Sequence, residues 1–494
     1  MTDTLTRPAA AGTTPDAALQ AQGGLQPRGG GIVVGHTHWD REWYLPFEGF
    51  RARLVAMMDG LVTMLEADPK FRCFVLDGQT IMVEDYLQVR PEADARVRAL
   101  VASGRLLIGP WFTAVDTFLP DPESLVRNLA IGRWQARFHG GEPMSVGHLP
   151  DTFGFCAQLP QIMQHFGLQD AFAWRGFHPE RDAAAFWWDS PDGSRVLVLR
   201  PLGGYCEGAM GIVQPERFLA EVLPDIVARQ NAEPYPDRLF VVGCDHFPAS
   251  PRLPRLAEQI GEVTGQPTEV GSLPEMAARV RDSGATLPVV QGEQRDPCLS
   301  VCPASVCGTR VPLKQANADV EAVLLSNAEP LQALAALAGG GADHAHLRWA
   351  WRILGENHPH DSIPGCSIDA VHREMMTRFA RARMVAVDAS QRGARRLASS
   401  LDPAVRGELG AIGIVGLAGG RGRLRVRLHG VEEGVHRFRI VDPAGGEVPF
   451  VVLRQGSDYI QYHRLQDAFA AVAASAFLHL IAPLEWVDSH RLQP

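Results

Sequence analysis

Between Gly31 and about residue 268, short apolar runs alternate with amphipathic stretches. The runs include Ile32-Val33-Val34, Phe74-Val75-Leu76, Leu106-Leu107-Ile108, Val196-Leu197-Val198-Leu199 and Leu239-Phe240-Val241-Val242, each closed by Gly, Pro or charge. Between them apolar residues recur at helical spacing, as in 54–65 and 123–138. Short unalternating apolar runs suit strands covered on both faces, and strands separated by helices run parallel. The pattern predicts an α/β domain over 31–268. Over 269–400 the period becomes helical, with Leu and Ala spaced for helices in 311–337, 346–354 and 368–397 and a break at Gly339-Gly340-Gly341, which predicts a helical bundle. Alternation returns beyond 401, as in Leu424-Arg425-Val426-Arg427-Leu428, and predicts a partial antiparallel β domain over 401–494. Residues 1–30 are rich in Ala, Thr, Gly and Pro without an apolar core and read as a disordered tail.

Composition narrows the function. The chain has 494 residues, with 47 Lys plus Arg against 56 Asp plus Glu, a formal charge of −9. Nucleic-acid and anionic-membrane binders need a basic footprint, so neither partner is expected. The longest apolar stretch, 468–478, is too short for a membrane span, which needs about 20 residues. Eight cysteines without a C-x-x-C pair argue against a disulfide framework and for reduced thiols in the cytoplasm. Cys298, Cys302 and Cys307 fit no zinc spacing and read as small buried thiols.

In parallel α/β sheets, function collects beyond the carboxyl ends of the strands. Six predicted strands here run into polar or aromatic residues: His36-Thr37-His38-Trp39-Asp40, Asp77-Gly78-Gln79, Trp111 with Asp116 beyond it, Asp151-Thr152-Phe153-Gly154, Trp174-Arg175 and Gly243-Cys244-Asp245-His246. In an extended segment positions i and i+2 share a face, so His38 and Asp40, and His36 with them, could reach one cation. Imidazole with carboxylate suits zinc and its neighbours. Asn357-His358-Pro359-His360-Asp361 offers a distant further ligand, with either histidine able to complete a tetrahedral set with His38, Asp40 and Asp151. Trp39, Trp43, Trp111, Phe153 and Trp174 are candidates for flat apolar faces against a sugar ring.

These residues carry a resemblance. His36-Thr37-His38-Trp39-Asp40-Arg41-Glu42-Trp43 resembles the first signature of the family 38 glycoside hydrolases, the class II α-mannosidases, in the form of the bacterial branch that includes mannosylglycerate hydrolases. Asp151-Thr152-Phe153-Gly154 resembles the family's D-x-F-G nucleophile motif, and His360-Asp361-Ser362-Ile363-Pro364-Gly365 its H-D-x-x-x-G segment. Thr309-Arg310 through Leu313-Lys314-Gln315 and Asn317 resembles a further stretch that opens the family's helical domain. The resemblance implies a parallel β/α barrel-like catalytic domain followed by the helical bundle. It implies one zinc ion, or another divalent metal, held by His38, Asp40, Asp151 and His360. Asp151 would also be the nucleophile and Asp245 the general acid/base, with Trp43, Phe153, Asp116, Arg175 and Asp361 around the sugar. The implied activity is retaining hydrolysis of terminal α-mannosides, small ones such as mannosylglycerate among them. Metal-dependent sugar deacetylation and an inactive sugar-binding remnant are the alternatives, and assembly of several copies is left open. Family members continue into large β-sandwich domains, so a chain ending at Pro494 is expected to be shortened relative to them.

Overall fold

The computed structural model describes residues 29–178, 183–298 and 305–400, together with the backbone of 411–415, 425–426, 451–454, 460–463 and 479–483. The expected tail up to residue 28, Cys302 and most of the expected β domain lie outside the described residues.

The predicted alternation is present. Strands β1 (Gly31–Thr37), β2 (Phe74–Leu76), β3 (Leu106–Leu107), β4 (Val146–Leu149), β5 (Asp170–Ala173), β6 (Ala185–Asp189), β7 (Arg195–Leu199), β8 (Arg238–Val242), β9 (Thr268–Val270) and β10 (Val289–Gln291) alternate with helices, except that β5, β6 and β7 follow one another without a helix between them. They form two five-stranded sheets. The first has the order β3-β2-β1-β8, all parallel. β9 also joins it, pairing with the start of β1 at Gly31–Val33, while β2 pairs with the end of β1 at His36–Thr37. The second has the order β10-β6-β7-β5-β4, with β4, β5 and β7 parallel and β6 antiparallel to β7.

Helix Phe47–Ala67 shows why the apolar spacing was readable. Leu54, Met58, Leu61 and Leu65 are buried along one face and pack on the first sheet with Phe74 and Leu76. Helix Pro122–Phe138 starts where Asp121 caps it, its carboxylate accepting the Glu123 N–H at 2.9 Å, with Pro in the first turn.

The α/β region runs past the expected boundary at 268. β9, helix Leu273–Asp282 and β10 all belong to it, and 294–296 bridges to Phe155 and Gly176. β10 is three residues long and half exposed, too short to carry a period. The helical region contains Val311–Val323, Glu329–Leu337, His344–Gly355 and Asp369–Ser400, with a π-helical turn at Leu324–Ala328. The described residues fall into two compact units, 29–318 with 351–380, and 319–350 with the rest. In the second, Gln332 Nε2 donates to the Ala389 carbonyl at 2.6 Å. Later strands are antiparallel: Ala411–Val415 with His479–Pro483, and Ile460–His463 with Arg425–Val426 and Val451–Arg454. Among the described residues no helix is long and apolar enough to cross a membrane.

Two cysteine expectations are corrected: Cys298 and Cys307, read as small buried thiols, are exposed on the loop and short turn after β10, and the thiols are not all reduced. Cys206 and Cys244, 38 residues apart, form a disulfide. Their separation in sequence is unremarkable. They meet because the chain leaving β7 returns beside the end of β8, which only the topology reveals.

Candidate active site

The first compact unit gathers the chemistry at the carboxyl ends of its strands. β1 delivers His38 and Asp40, β4 delivers Asp151 and β8 delivers Asp245, whose backbone continues the ladder alongside His38. His360 arrives on the loop between helices His344–Gly355 and Asp369–Ser400. That loop is held to the segment after β3: Asp116 N–H donates to the His358 carbonyl at 2.9 Å, and His360 N–H to the Ala114 carbonyl at 3.1 Å.

His38 Nε2 lies 3.1 Å from Asp40 Oδ1 and 3.3 Å from His360 Nε2. His360 Nε2 lies 3.3 Å from Asp40 Oδ1 and 3.6 Å from Asp151 Oδ2. The other ring nitrogens are already engaged. His38 Nδ1 donates to the Asp77 carboxylate at 3.1 Å, and His360 Nδ1 to the Ala114 carbonyl at 3.2 Å. With those protons on Nδ1, the two Nε2 atoms face each other and two carboxylates, and each offers a lone pair to a cation once deprotonated. A tetrahedral ion with bonds of 2.0–2.1 Å sets its ligands about 3.3 Å apart, close to all four separations. His38, Asp151 and His360 offer donor atoms within 4.8 Å of one another, and Asp40 approaches both histidines, so the donor types and these spacings suit a divalent cation.

Burial works against charge throughout the cluster, yet contact between opposite charges outweighs it. His38 is pushed well above the usual histidine range by Asp77 and Asp40, and His360 by its bonds to Asp151 and Asp40. Asp40 is held well below the carboxylate range, chiefly by His38. Burial also opposes ionisation of Asp151, but His360 and the Arg175 guanidinium, which donates from Nε to its Oδ1, keep that carboxyl low and ionised. Asp77 sits with φ of 50°, and its Oδ2 takes the Trp39 N–H at 2.8 Å and Gln79 Nε2 at 2.6 Å. Gln79 Oε1 in turn accepts from Ala114 N–H at 2.9 Å, which ties the ends of the first three strands together.

The surrounding predictions divide. Phe153 sets its ring edge-on to His360 at 5.3 Å, and the Arg175 guanidinium lies over Phe153 and Trp174. Trp43 is half-buried beside His246. Asp361 groups with Asp40 and His360, and burial pushes its carboxyl up to about 8. Asp116 is buried and closes a turn, its Oδ1 accepting the Phe118 and Leu119 N–H groups at 2.8 Å each.

Four candidates fall elsewhere. Trp39 and Trp111 are core residues, 3% and 0% exposed, and offer no face to a ligand. His358 turns to Asn317 Oδ1 at 2.8 Å. His36 bonds the Tyr205 carbonyl through Nε2 at 2.9 Å, and burial lowers it to about 4. It shares a face with His38, but two residues along a strand span about 6.7 Å, which places it one layer deeper.

One residue escaped the sequence reading. Tyr205 donates its hydroxyl to Asp245 Oδ1 at 2.8 Å, and its own ionisation is suppressed by burial and then by Asp151 and Asp245. Its hydroxyl therefore feels both carboxylates. The signal was available: β7 also runs through Gly203-Gly204 into polar residues, as the other strands do.

Residues 31–282 match the model of the glycosyl hydrolases family 38 N-terminal domain, and 304–397 that of the alpha mannosidase middle domain. A Halalkalibacterium halodurans protein named "Putative mannosylglycerate hydrolase" is 35% identical over 367 residues, 70% of this chain and 40% of that protein. Mouse alpha-mannosidase 2C1 is 28% identical over 362 residues, 70% of this chain and 33% of that one. The crystal structure of an alpha-mannosidase from Enterococcus faecalis V583 superposes with a TM-score of 0.77 at 29% identity, covering 93% of this chain and 55% of that one. The fold is one shared with glycoside hydrolases. The chain belongs to glycosyl hydrolase family 38, and it spans about half or less of the length of these relatives.

Proposed function

We propose that the chain is a zinc-dependent retaining α-mannosidase acting on small α-mannosides, mannosylglycerate among them. The observation that carries this reading is the convergence of His38, Asp40, Asp151 and His360, with the Tyr205–Asp245 pair facing the same space. Those four side chains would hold the ion. Bound there, zinc would supply a Lewis acid beside the sugar. Asp151 attacks the anomeric carbon and forms a glycosyl ester. Arg175 orients its carboxylate and keeps it ionised. Asp245 donates a proton to the departing oxygen, then takes one from the incoming water. Tyr205 holds Asp245 through its hydroxyl. Trp43 and Phe153 supply apolar faces to the sugar, Asp361 borders it, and Asp116 acts from behind by holding the turn at Phe118 and Leu119.

A screen of α-mannosides, mannosylglycerate included, before and after chelation and zinc add-back, tests the reading. Hydrolysis that vanishes on chelation and returns with zinc is expected; acetate release from an acetylated sugar without mannoside turnover would replace the reading with deacetylation.

Asp77 supports the ion through His38, as carboxylates behind ligating histidines do. Asp77→Asn is expected to weaken ion retention by about 10–100-fold in competition with a chelator. Unchanged retention would remove Asp77 from that role.

A further inference from the structure

The disulfide lies beside the proposed acid/base. Cys206 follows Tyr205, Cys244 precedes Asp245, and Tyr205 and Asp245 are hydrogen-bonded at 2.8 Å. The covalent link and the hydrogen bond therefore join the same two segments, one residue apart on each. The two segments are otherwise held differently. On the Asp245 side the ladder with β1 already fixes the backbone: His38 N–H donates to the Cys244 carbonyl at 3.1 Å, and His246 N–H to the His38 carbonyl at 2.7 Å. The segment 200–209 has no ladder among the described residues. Arg200 N–H still bonds the Ala184 carbonyl at 2.8 Å, and beyond it the segment is held by turn bonds of its own, by His36 at the Tyr205 carbonyl, by Gly208 N–H on the Val241 carbonyl at 3.1 Å, by the Glu207–Arg229 ion pair at 3.7 Å and by the buried Tyr205 ring against Trp174. Both half-cystines are only partly buried, so a small reductant can reach them.

We propose that the Cys206–Cys244 disulfide is a positioning tether for the acid/base pair: it presses Tyr205 onto Asp245, and its reduction loosens that contact and selectively slows proton donation to the leaving group. The proposal rests on the assignment of Asp245 as acid/base. Reduction by a water-soluble phosphine breaks the S–S bond. The phosphine takes oxygen from water and becomes the phosphine oxide, and the two protons of that water pass to the two sulfurs. A phosphine is chosen because a dithiol would compete for zinc through its thiolates.

The test compares kcat/KM for two aryl α-mannosides on the full-length protein, oxidised and phosphine-treated. One carries 4-nitrophenolate, whose departure gains from a proton, and the other 2,4-dinitrophenolate, which leaves without one. kcat/KM reports transition-state stabilisation from free enzyme and substrate, and so the glycosylation step. Reduction is expected to lower the 4-nitrophenyl value roughly tenfold, the worth of one hydrogen bond to a charged group, and to leave the 2,4-dinitrophenyl value unchanged. The Cys206→Ser/Cys244→Ser protein, verified as folded by its thermal transition, is expected to match the reduced wild type and to ignore the phosphine. Equal loss on both substrates would overturn the proposal in favour of a general structural role. So would no change on either, or free thiols at both positions before treatment. An oxidised protein that hydrolyses neither mannoside would take down the mannosidase reading itself, an outcome distinct from insensitivity to reduction.

Discussion

Asp151→Ala is expected to lower turnover of an aryl α-mannoside by roughly four orders of magnitude or more, the scale on which removal of a nucleophile acts. Two losses combine in that substitution. The covalent path through the glycosyl ester disappears, and the ion loses one of the four atoms arranged about it. They can be separated. If the nucleophile matters as proposed, added azide attacks the vacated face of the anomeric carbon and yields a mannosyl azide of inverted configuration, with metal content measured on the same sample. The variant should still fold. Asp151 is half-buried, its side chain 13% exposed, and its removal takes one partner from Arg175. Near-normal activity in the variant would remove Asp151 from its role.

Chelation is expected to abolish activity and to lower the thermal midpoint, which should rise again with free zinc, since an ion bound only by the native state stabilises it by mass action, about 2.7 kcal/mol at a hundredfold excess over Kd. The sign of the proton linkage follows from the histidines. Without a metal, the neighbouring carboxylates Asp77, Asp40 and Asp151 raise His38 and His360 well above their ordinary range and so favour their protonated forms. Ligation needs both Nε2 lone pairs, so metal uptake must expel those protons. Titration of zinc into the chelated protein in buffers of different ionisation enthalpy is expected to show net proton release on zinc uptake. Apparent affinity should rise with pH until the raised histidines have lost their protons. His360→Ala should bind weakly and release fewer. Zinc uptake without proton release would place the ion away from these histidines.

Much of this site was legible because strand ends are marked in the sequence. Runs such as Phe74-Val75-Leu76 are continuous and apolar, so the first polar residue after each falls on the rim, and His38, Asp151, Arg175 and Asp245 were reached this way. The face rule overreached at His36 because it fixes direction and not depth. It could not choose between His358 and His360, since the loop after Gly355 follows its bonds to the segment after β3 and no period. Trp39 and Trp111 show the limit for aromatics: an indole at a strand end can fold back into the core as readily as it faces the pocket. The disulfide depends on where the chain after β7 comes to rest, a tertiary fact without a local signal, whereas Tyr205 follows a strand end like the residues above.

The most direct test of the central claim is covalent trapping. A fluorinated α-mannosyl fluoride, which forms a glycosyl ester faster than the ester is hydrolysed, is incubated with the zinc-loaded protein, and the digest is mapped by mass spectrometry. The account predicts one mannosyl adduct on the peptide that contains Asp151, with none when zinc is withheld. An adduct on a different carboxylate, or full turnover of mannoside with no adduct, would contradict it.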